Sequence, residues 1–265
     1  MTFDELTVPR GADHVVAVAG AADEAVIQAV KASGNSGVRF ILLGAADDIR
    51  RIAGECGADL AGAEVLDQSG DEEALCRRAA EICAAGEAGV LMKGLVGTAA
   101  FSRAVLDKTI RLTPPGSLLS HVAAFEHPQT QRVFFLTDAA INIQPDLEEK
   151  KRILENAVST ARAAGFHAPS VAVLAPVEKV NPKIPSTVDA RALCDWARTG
   201  SLGDAVVGGP FALDVALSSE AAELKNVSSP AAGDADILLV PNLDAGNVLY
   251  KSLSVVARAD RKSVV

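Results

Sequence analysis

The chain has 265 residues, of which 49% are hydrophobic and only 4% aromatic, and its formal net charge is −9 at pH 7. This length can bury one large core or two modest ones, built here from Ala, Val, Leu and Ile. The acidic balance argues against nucleic acid or an anionic membrane as a partner, because both attract positive charge. We expect no secretory signal and no membrane span, because the first residues carry charge and no apolar run reaches about 18 residues.

The cysteines predict a reduced, cytoplasmic protein. Cys56, Cys76, Cys83 and Cys194 form no C-x-x-C motif and no cluster with histidine. Free cysteine behaves as a small hydrophobic residue, so we expect buried thiols and no metal site. A cytoplasmic location is the default expectation for unpaired cysteines.

The first half of the sequence alternates strands with amphipathic helices. Strands are predicted at 14–19, 38–43, 63–66 and 90–92. Each strand precedes a helical pattern, and these patterns lie at 23–33, 47–56, 71–85 and from 99 onward. Strands that alternate with helices of this length form βαβ units, which predicts an α/β fold with a mostly parallel sheet.

The second half continues in the same way, with two irregular stretches at 137–145 and 176–186. Asp146 and Glu149 form a capping-box pattern that opens a long helix ending near Ala164. We place a domain boundary near 138, with a first lobe over 1–137 and a second lobe over 138–265. The other predicted strands are 117–125, 132–137, 171–174, 205–207 and 237–240, with further helices over 187–199 and from Asp244, the expected N-cap.

Small and polar residues follow several of these strands. In open α/β sheets, ligands bind at the carboxyl ends of the strands, so the pattern predicts a ligand cleft. The turn Gly94–Thr98 can offer backbone N–H groups to a phosphate, although it has neither Walker nor G-x-G-x-x-G spacing. A tight turn without a ligand explains each motif taken alone.

Ser120 and His121 are adjacent in a predicted strand and face opposite sides, so they form no nucleophilic dyad. We interpret the histidine as a core or rim residue.

Six stretches together resemble the phosphate acetyltransferase and phosphate butyryltransferase family, and their sequences are closer to the butyryl branch. The resemblance implies two α/β/α lobes like those of isocitrate and isopropylmalate dehydrogenases, usually as a homodimer. It also implies reversible transfer of a short acyl group between coenzyme A and inorganic phosphate, without metal or bound cofactor. The matching segments are 91–108, 118–126, 136–150, 180–190, 206–217 and 229–253.

The resemblance also supplies candidate site residues, with Arg103 implicated in coenzyme A binding. The family's Ser-Arg-Asp motif is not found: Arg258 and Asp260 echo it, but Ala257 stands where serine is expected. We therefore assign no catalytic residue and expect slow turnover from a chain that lacks the family's closing segment. The substrate-binding candidates are Lys93, Thr98, Arg103, Ser120, Asn142, Asn181, Lys183, Gly209, Asp214, Gly246, Asn247 and Lys251.

Two alternatives stay open from the sequence. A non-catalytic protein that binds coenzyme A or an acyl phosphate would keep Arg103 and the glycine turns while lacking the catalytic motif. A dehydrogenase of the isocitrate type would need a cluster of carboxylates for a divalent metal, and no such cluster is evident in the sequence.

Overall fold

A computed structural model of the chain describes residues 1–7, 14–34, 37–68, 70–114 and 116–264. The chain divides into two compact units. Val8–Ser117 forms what we call the four-stranded unit, and Met1–Thr7 together with Leu118–Val265 forms the six-stranded unit. No helix among the described residues combines the length and the apolar character needed to cross a membrane.

The helices and strands follow the predicted alternation. The first half contains α1 (Phe3–Thr7), β1 (His14–Ala19), α2 (Glu24–Ala32), β2 (Val38–Gly44), α3 (Ala46–Cys56), β3 (Ala63–Asp67), α4 (Glu72–Ala84), β4 (Val90–Lys93) and α5 (Thr98–Leu106). The second half contains β5 (Val122–Glu126), β6 (Val133–Thr137), α6 (Leu147–Ala163), β7 (Ser170–Leu174), α7 (Pro185–Trp196), β8 (Val206–Phe211), α8 (Leu213–Leu217), α9 (Ser219–Leu224), β9 (Ile237–Leu239), α10 (Leu243–Lys251) and β10 (Arg261–Val264).

The four-stranded unit is a parallel sheet in the order β3-β2-β1-β4. Leu75 and Ala79 of α4 and Ala100 of α5 pack on one face of this sheet. Ile27 of α2 and Ile49 of α3 pack on the other face. The unit therefore has three α/β/α layers, as the alternating pattern predicts.

The six-stranded unit has a mixed sheet in the order β10-β5-β6-β9-β7-β8. The strands from β6 to β8 run parallel, whereas β5 runs antiparallel to both β10 and β6. One face is covered by α6 and α7, and the other by α8, α9 and α10. This unit too has three layers, and the capping box of Asp146 and Glu149 at the start of α6 is confirmed.

The structure divides the chain earlier than position 138. The contacts separate Ser117 from Leu118. The reason is that β6 does not end a lobe: Thr137 pairs with Leu239 of β9 and Val122 of β5, so both strands belong to the six-stranded sheet. Pairing between strands about 100 residues apart leaves no local pattern in a sequence.

Two element ends also differ from the prediction. Ser117 to His121 is not strand, because β5 begins only at Val122. The N-cap of α10 is Asn242 rather than Asp244, since the Asn242 side chain accepts a hydrogen bond from the Ala245 N–H at 3.1 Å.

All four cysteines are free, with Cys76 and Cys194 buried and the other two half-buried. Burial raises the pKa of the Cys194 thiol to about 11.

Candidate functional site

The glycine turn after β4 packs against the turn after β1. Gly94 donates its N–H to the Ala19 carbonyl at 2.9 Å, and Leu95 donates to the Gly20 carbonyl at 2.7 Å. A Cβ on Gly94 would lie 2.2 Å from the Gly20 oxygen, so no larger residue fits there. The close approach of two backbones explains the glycine without any ligand.

Two carboxylates of α4 already accept hydrogen bonds from donors around this turn. The Gly97 N–H at the start of α5 donates to Glu72 Oε2 at 3.0 Å, and Arg103 donates to Glu73 Oε1 at 2.6 Å. The Lys93 ammonium donates to the Val96 carbonyl at 2.8 Å. Arg103 and Glu73 are 62% and 63% exposed, so their ion pair is in contact with water. An incoming phosphate would have to displace these two carboxylates.

In the six-stranded unit, Asp138 directly follows β6 and is only 3% exposed. Its carboxylate accepts hydrogen bonds from the N–H groups of Ala140 at 2.9 Å, Ile141 at 3.0 Å and Asn142 at 3.2 Å. The Asn142 side-chain amide donates a fourth bond at 2.6 Å. Four donors satisfy the buried charge, and they hold the turn after the strand in one conformation.

Two asparagine amides hold the segment that leads into β5. Asn142 Nδ2 donates to the Leu119 carbonyl at 2.9 Å. Asn156 Nδ2, on α6, donates to Ser120 Oγ and to the Leu118 carbonyl, both at 2.9 Å. Two predicted site residues thus meet here, since Ser120 belongs to this segment and Asn142 is hydrogen-bonded to it.

His121 lies beside this network and is 7% exposed. Its ring meets Tyr250 edge to face with centroids 5.7 Å apart, and its carbonyl accepts a hydrogen bond from Thr137 Oγ1 at 2.9 Å. Burial lowers the pKa of His121, and the nearby Asp138 charge opposes that shift. Its Nδ1 is buried and has no partner within the described chain. We refer to Ser120, His121, Thr137, Asp138 and Asn142 together as the Asp138 edge.

Helix α10 begins against the same edge. A Cβ on Gly246 would lie 2.7 Å from the Asp138 carbonyl oxygen, so only glycine permits this approach. Asn247 Nδ2 donates to the Ala139 carbonyl at 3.4 Å. The structure therefore brings together four predicted residues, Ser120, Asn142, Gly246 and Asn247.

The remaining candidates in this unit are not members of the Asp138 edge. Asn181 accepts the Lys183 N–H at 3.0 Å within its own loop. Asp214 pairs with Lys225 at 3.0 Å, which holds the pKa of its carboxyl below the ordinary value. Lys251 lies 5.5 Å from the centroid of the Tyr250 ring.

Gly209 on β8 lines a cavity of about 650 Å³ along the outer edge of that strand. Gly203, Asp204 and Ala205, which precede β8, line it too, so the cavity extends toward the amino end of the strand. It is therefore distinct from the Asp138 edge, which lies at the carboxyl end of β6. Among the described residues, no three His, Cys, Asp or Glu side chains are placed to hold a metal ion.

The sequence did not identify Thr137 and Asp138 as members of the Asp138 edge. It also did not identify Asn156 and Tyr250, which contact this edge. Asp138 carried a usable signal, because it directly follows a buried strand as the other polar candidates do. Asn156 and Tyr250 lie inside helices, α6 and α10, and reach the site only because these helices pack on the sheet. No local motif marks them.

Comparison with known proteins places the chain among acyl-transferring enzymes. A family model described as phosphate acetyl/butaryl transferase matches residues 75–262. The phosphate butyryltransferase of Clostridium acetobutylicum is 45% identical over 90% of this chain and 79% of its own length. That of Clostridium beijerinckii is 44% identical over 97% of this chain and 85% of its own length. Phosphate acetyltransferases also match, at 36% to 38% identity.

One solved structure supports the same assignment. The crystal structure of a branched-chain phosphotransacylase from Enterococcus faecalis superimposes with a TM-score of 0.79 and 34% identity. The match covers 94% of this chain and 87% of that one.

Proposed function

The chain belongs to the phosphate acetyl/butyryl transferase family, and from this premise we propose that it catalyses reversible transfer of a short acyl group between coenzyme A and inorganic phosphate. The observation that carries the proposal is identity of 45% to a butyryltransferase over nine-tenths of the chain. Identity to the butyryltransferases exceeds that to the acetyltransferases, which favours butyryl as the acyl group.

The reaction requires two things of the protein. In the direction that consumes acyl phosphate, the coenzyme A sulfur attacks the carbonyl carbon, and a thiol with an ordinary pKa of about 8.5 must lose its proton. Negative charge then develops on the carbonyl oxygen and needs fixed hydrogen-bond donors. The Asp138 edge supports the second requirement, because Asn156 holds Ser120 in place through a hydrogen bond to its Oγ. A hydroxyl that accepts one hydrogen bond can still donate another.

The four-stranded unit supports binding of the phosphate groups of coenzyme A. Arg103 and the start of α5 present positive charge at an exposed surface, and each now contacts a carboxylate of α4. The arginine guanidinium can bind two phosphate oxygens at once. Arg103 would therefore still have an anionic partner after a phosphate replaced Glu73. Coenzyme A is a substrate here, and we expect no bound cofactor or metal. We also expect a cytoplasmic homodimer, and light scattering can test the dimeric state.

The decisive assay supplies butyryl-CoA and inorganic phosphate and follows release of the free thiol with a disulfide reagent. We expect phosphate-dependent thiol release, faster with butyryl-CoA than with acetyl-CoA. Calorimetry with coenzyme A alone separates catalysis from binding. Binding without thiol release would contradict the proposal and leave the non-catalytic alternative.

A further inference from the structure

Buried polar groups are concentrated at one place in the six-stranded unit. Six polar or charged residues are buried among those that the structure describes, and Ser120, His121, Thr137 and Asp138 account for four of them. Burying polar groups costs free energy unless each is hydrogen-bonded, and three of the four are. The exception is His121, whose Nδ1 is the one buried side-chain nitrogen or oxygen in the described chain without a partner.

The surroundings of His121 keep its ring neutral. Burial lowers its pKa, and the carboxylate of Asp138 accepts its hydrogen bonds from Ala140, Ile141 and Asn142 rather than from the imidazole. A charged ring would carry a proton on Nδ1, where no acceptor lies. An unsatisfied buried N–H is among the rarest features of folded proteins, so the cation is disfavoured.

The same argument assigns the tautomer from the hydrogen-bond network. In a neutral ring one nitrogen carries the proton and the other has only a lone pair. Since Nδ1 of His121 has no acceptor in reach, the proton resides on Nε2. No hydrogen bond within the described chain uses Nε2, and Nε2, unlike Nδ1, is not fully buried.

The position of His121 is that expected of a substrate contact. It immediately precedes β5, whose first residue Val122 pairs with Thr137 at the carboxyl end of β6. Ligands bind at this end of parallel strands. The sequence predicts a core or rim histidine, and the structure places His121 at the strand end, 7% exposed.

We propose that Nε2–H of His121 donates a hydrogen bond to the carbonyl oxygen of the acyl group during transfer. The inference rests on the proposed acyltransferase function and names one of its donors. As the sulfur–carbon bond forms, the carbonyl electron pair moves onto oxygen, and this oxyanion accepts the bond. The pair then returns, the carbon–oxygen bond to phosphate breaks, and phosphate leaves with the bonding electrons. The phosphate takes up the equivalent of the proton that the thiol lost, while His121 keeps its own proton.

A neutral donor suits this oxygen better than it suits phosphate, which proteins bind chiefly with cationic side chains. The role also differs from that of a general base, which must gain a proton during the reaction. Ser120 does not act with His121 as a nucleophilic pair, since no hydrogen bond in the described chain joins Ser120 Oγ to the imidazole.

The test compares H121Q with H121N in the butyryl-CoA assay. A glutamine amide nitrogen reaches about as far as Nε2, whereas an asparagine nitrogen reaches only as far as Nδ1. We expect kcat to fall about 100-fold to 1000-fold in H121N and by no more than about tenfold in H121Q. Affinity for coenzyme A should be unchanged in both. H167Q, at an exposed histidine of the same unit, is the matched control and should behave as wild type.

Equal large losses in both variants would overturn the donor role, and so would unchanged kcat in both. If H121N does not fold, H121Q alone distinguishes the two roles. A glutamine can replace a hydrogen-bond donor but not a general base, so a large fall in kcat in H121Q would contradict the donor role. Inactive wild-type enzyme would contradict the proposed function instead. The tautomer is then tested without substrate by nitrogen-15 NMR of the imidazole near pH 7, where a proton on Nδ1 or a charged ring would overturn the inference.

Discussion

The two units treat the polar groups at their strand ends in opposite ways. In the four-stranded unit, Arg103 and the start of α5 are exposed and are paired with Glu73 and Glu72 of the neighbouring helix. In the six-stranded unit, Asp138 is buried and accepts four hydrogen bonds from its own turn. Exposed ion pairs contribute little and are easily exchanged, whereas a buried charge is strongly bound to its donors.

This difference suits two different tasks in acyl transfer. Binding the phosphates of a large substrate calls for positive groups that can change partners at low cost. Stabilising an oxyanion calls for donors that stay fixed while charge develops, because reorganisation at that moment would raise the barrier. We therefore expect substitutions in the six-stranded unit to affect stability strongly, and those around Arg103 to affect binding.

The largest effect is expected for Asp138→Ala. The change leaves three backbone N–H groups and the Asn142 amide without their acceptor, which should lower the unfolding free energy by at least about 3 kcal/mol. Trp196 is the single tryptophan and lies in this unit, so its fluorescence during urea unfolding is the measurement. Asp244→Ala, at an exposed position in α10, is the control, and an equal loss there would contradict the prediction.

A smaller loss is expected for Gly246→Ala. The added Cβ would lie 2.7 Å from the Asp138 carbonyl oxygen and 3.0 Å from the Ala139 Cα, so α10 must shift, at about 1–3 kcal/mol. Gly54→Ala is the matched change in the four-stranded unit, where α3 leaves open space around the Cβ. That variant should gain about 0.5–1 kcal/mol from helix propensity. Thermal melts by circular dichroism compare the two, and a stabilised Gly246→Ala protein would refute the packing argument.

Arg103→Ala should weaken coenzyme A binding by about tenfold or more, through loss of one or two charge-assisted contacts. Stability should hardly change, because the pair with Glu73 is exposed. Isothermal calorimetry measures the affinity. Arg50→Ala removes a comparable exposed ion pair on α3 and is the control. Equal affinity of the Arg103→Ala and wild-type proteins would remove Arg103 from the binding site.

Acid should weaken the six-stranded unit through His121. Burial holds its folded-state pKa below the ordinary 6.5, so below about pH 6.5 the unfolded chain binds a proton that the folded chain does not. The free energy of unfolding therefore keeps its full value above that pH. It falls as the pH falls, by at most about 1.4 kcal/mol per pH unit. Urea unfolding at pH 7.5 and 5.5 should show a smaller acid loss in H121Q than in wild type. Identical losses would mean that His121 is protonated equally in both states.

The smallest effect is expected for Glu73→Gln. Removing this carboxylate frees Arg103 from its present partner, so affinity for coenzyme A should rise by up to about fivefold. The same calorimetric titration measures it, and Glu55→Gln, which removes an exposed pair with Arg51, is the control. Weaker binding in Glu73→Gln would show that Glu73 positions the arginine rather than competing for it.

Most helices and strands of both units could be predicted from the sequence, although β10 and the start of β5 could not. Short continuous apolar runs predict buried strands such as β1, and apolar residues at helical spacing predict α2 to α4. Both patterns depend only on neighbours along the chain. The capping box at Asp146 and Glu149 is local in the same sense. The likeness to acyltransferases also lies in contiguous segments, which is why the family was evident from the sequence.

Which of these segments meet depends on the tertiary structure. The division at Ser117 follows from pairing of β6 with β9, and the Glu72 contact to Gly97 joins residues 25 positions apart. The neutral state of His121 depends on the absence of an acceptor near Nδ1, which only the packed helices and strands around it determine. Strand order and register bring distant residues together, and no periodicity along the chain records them.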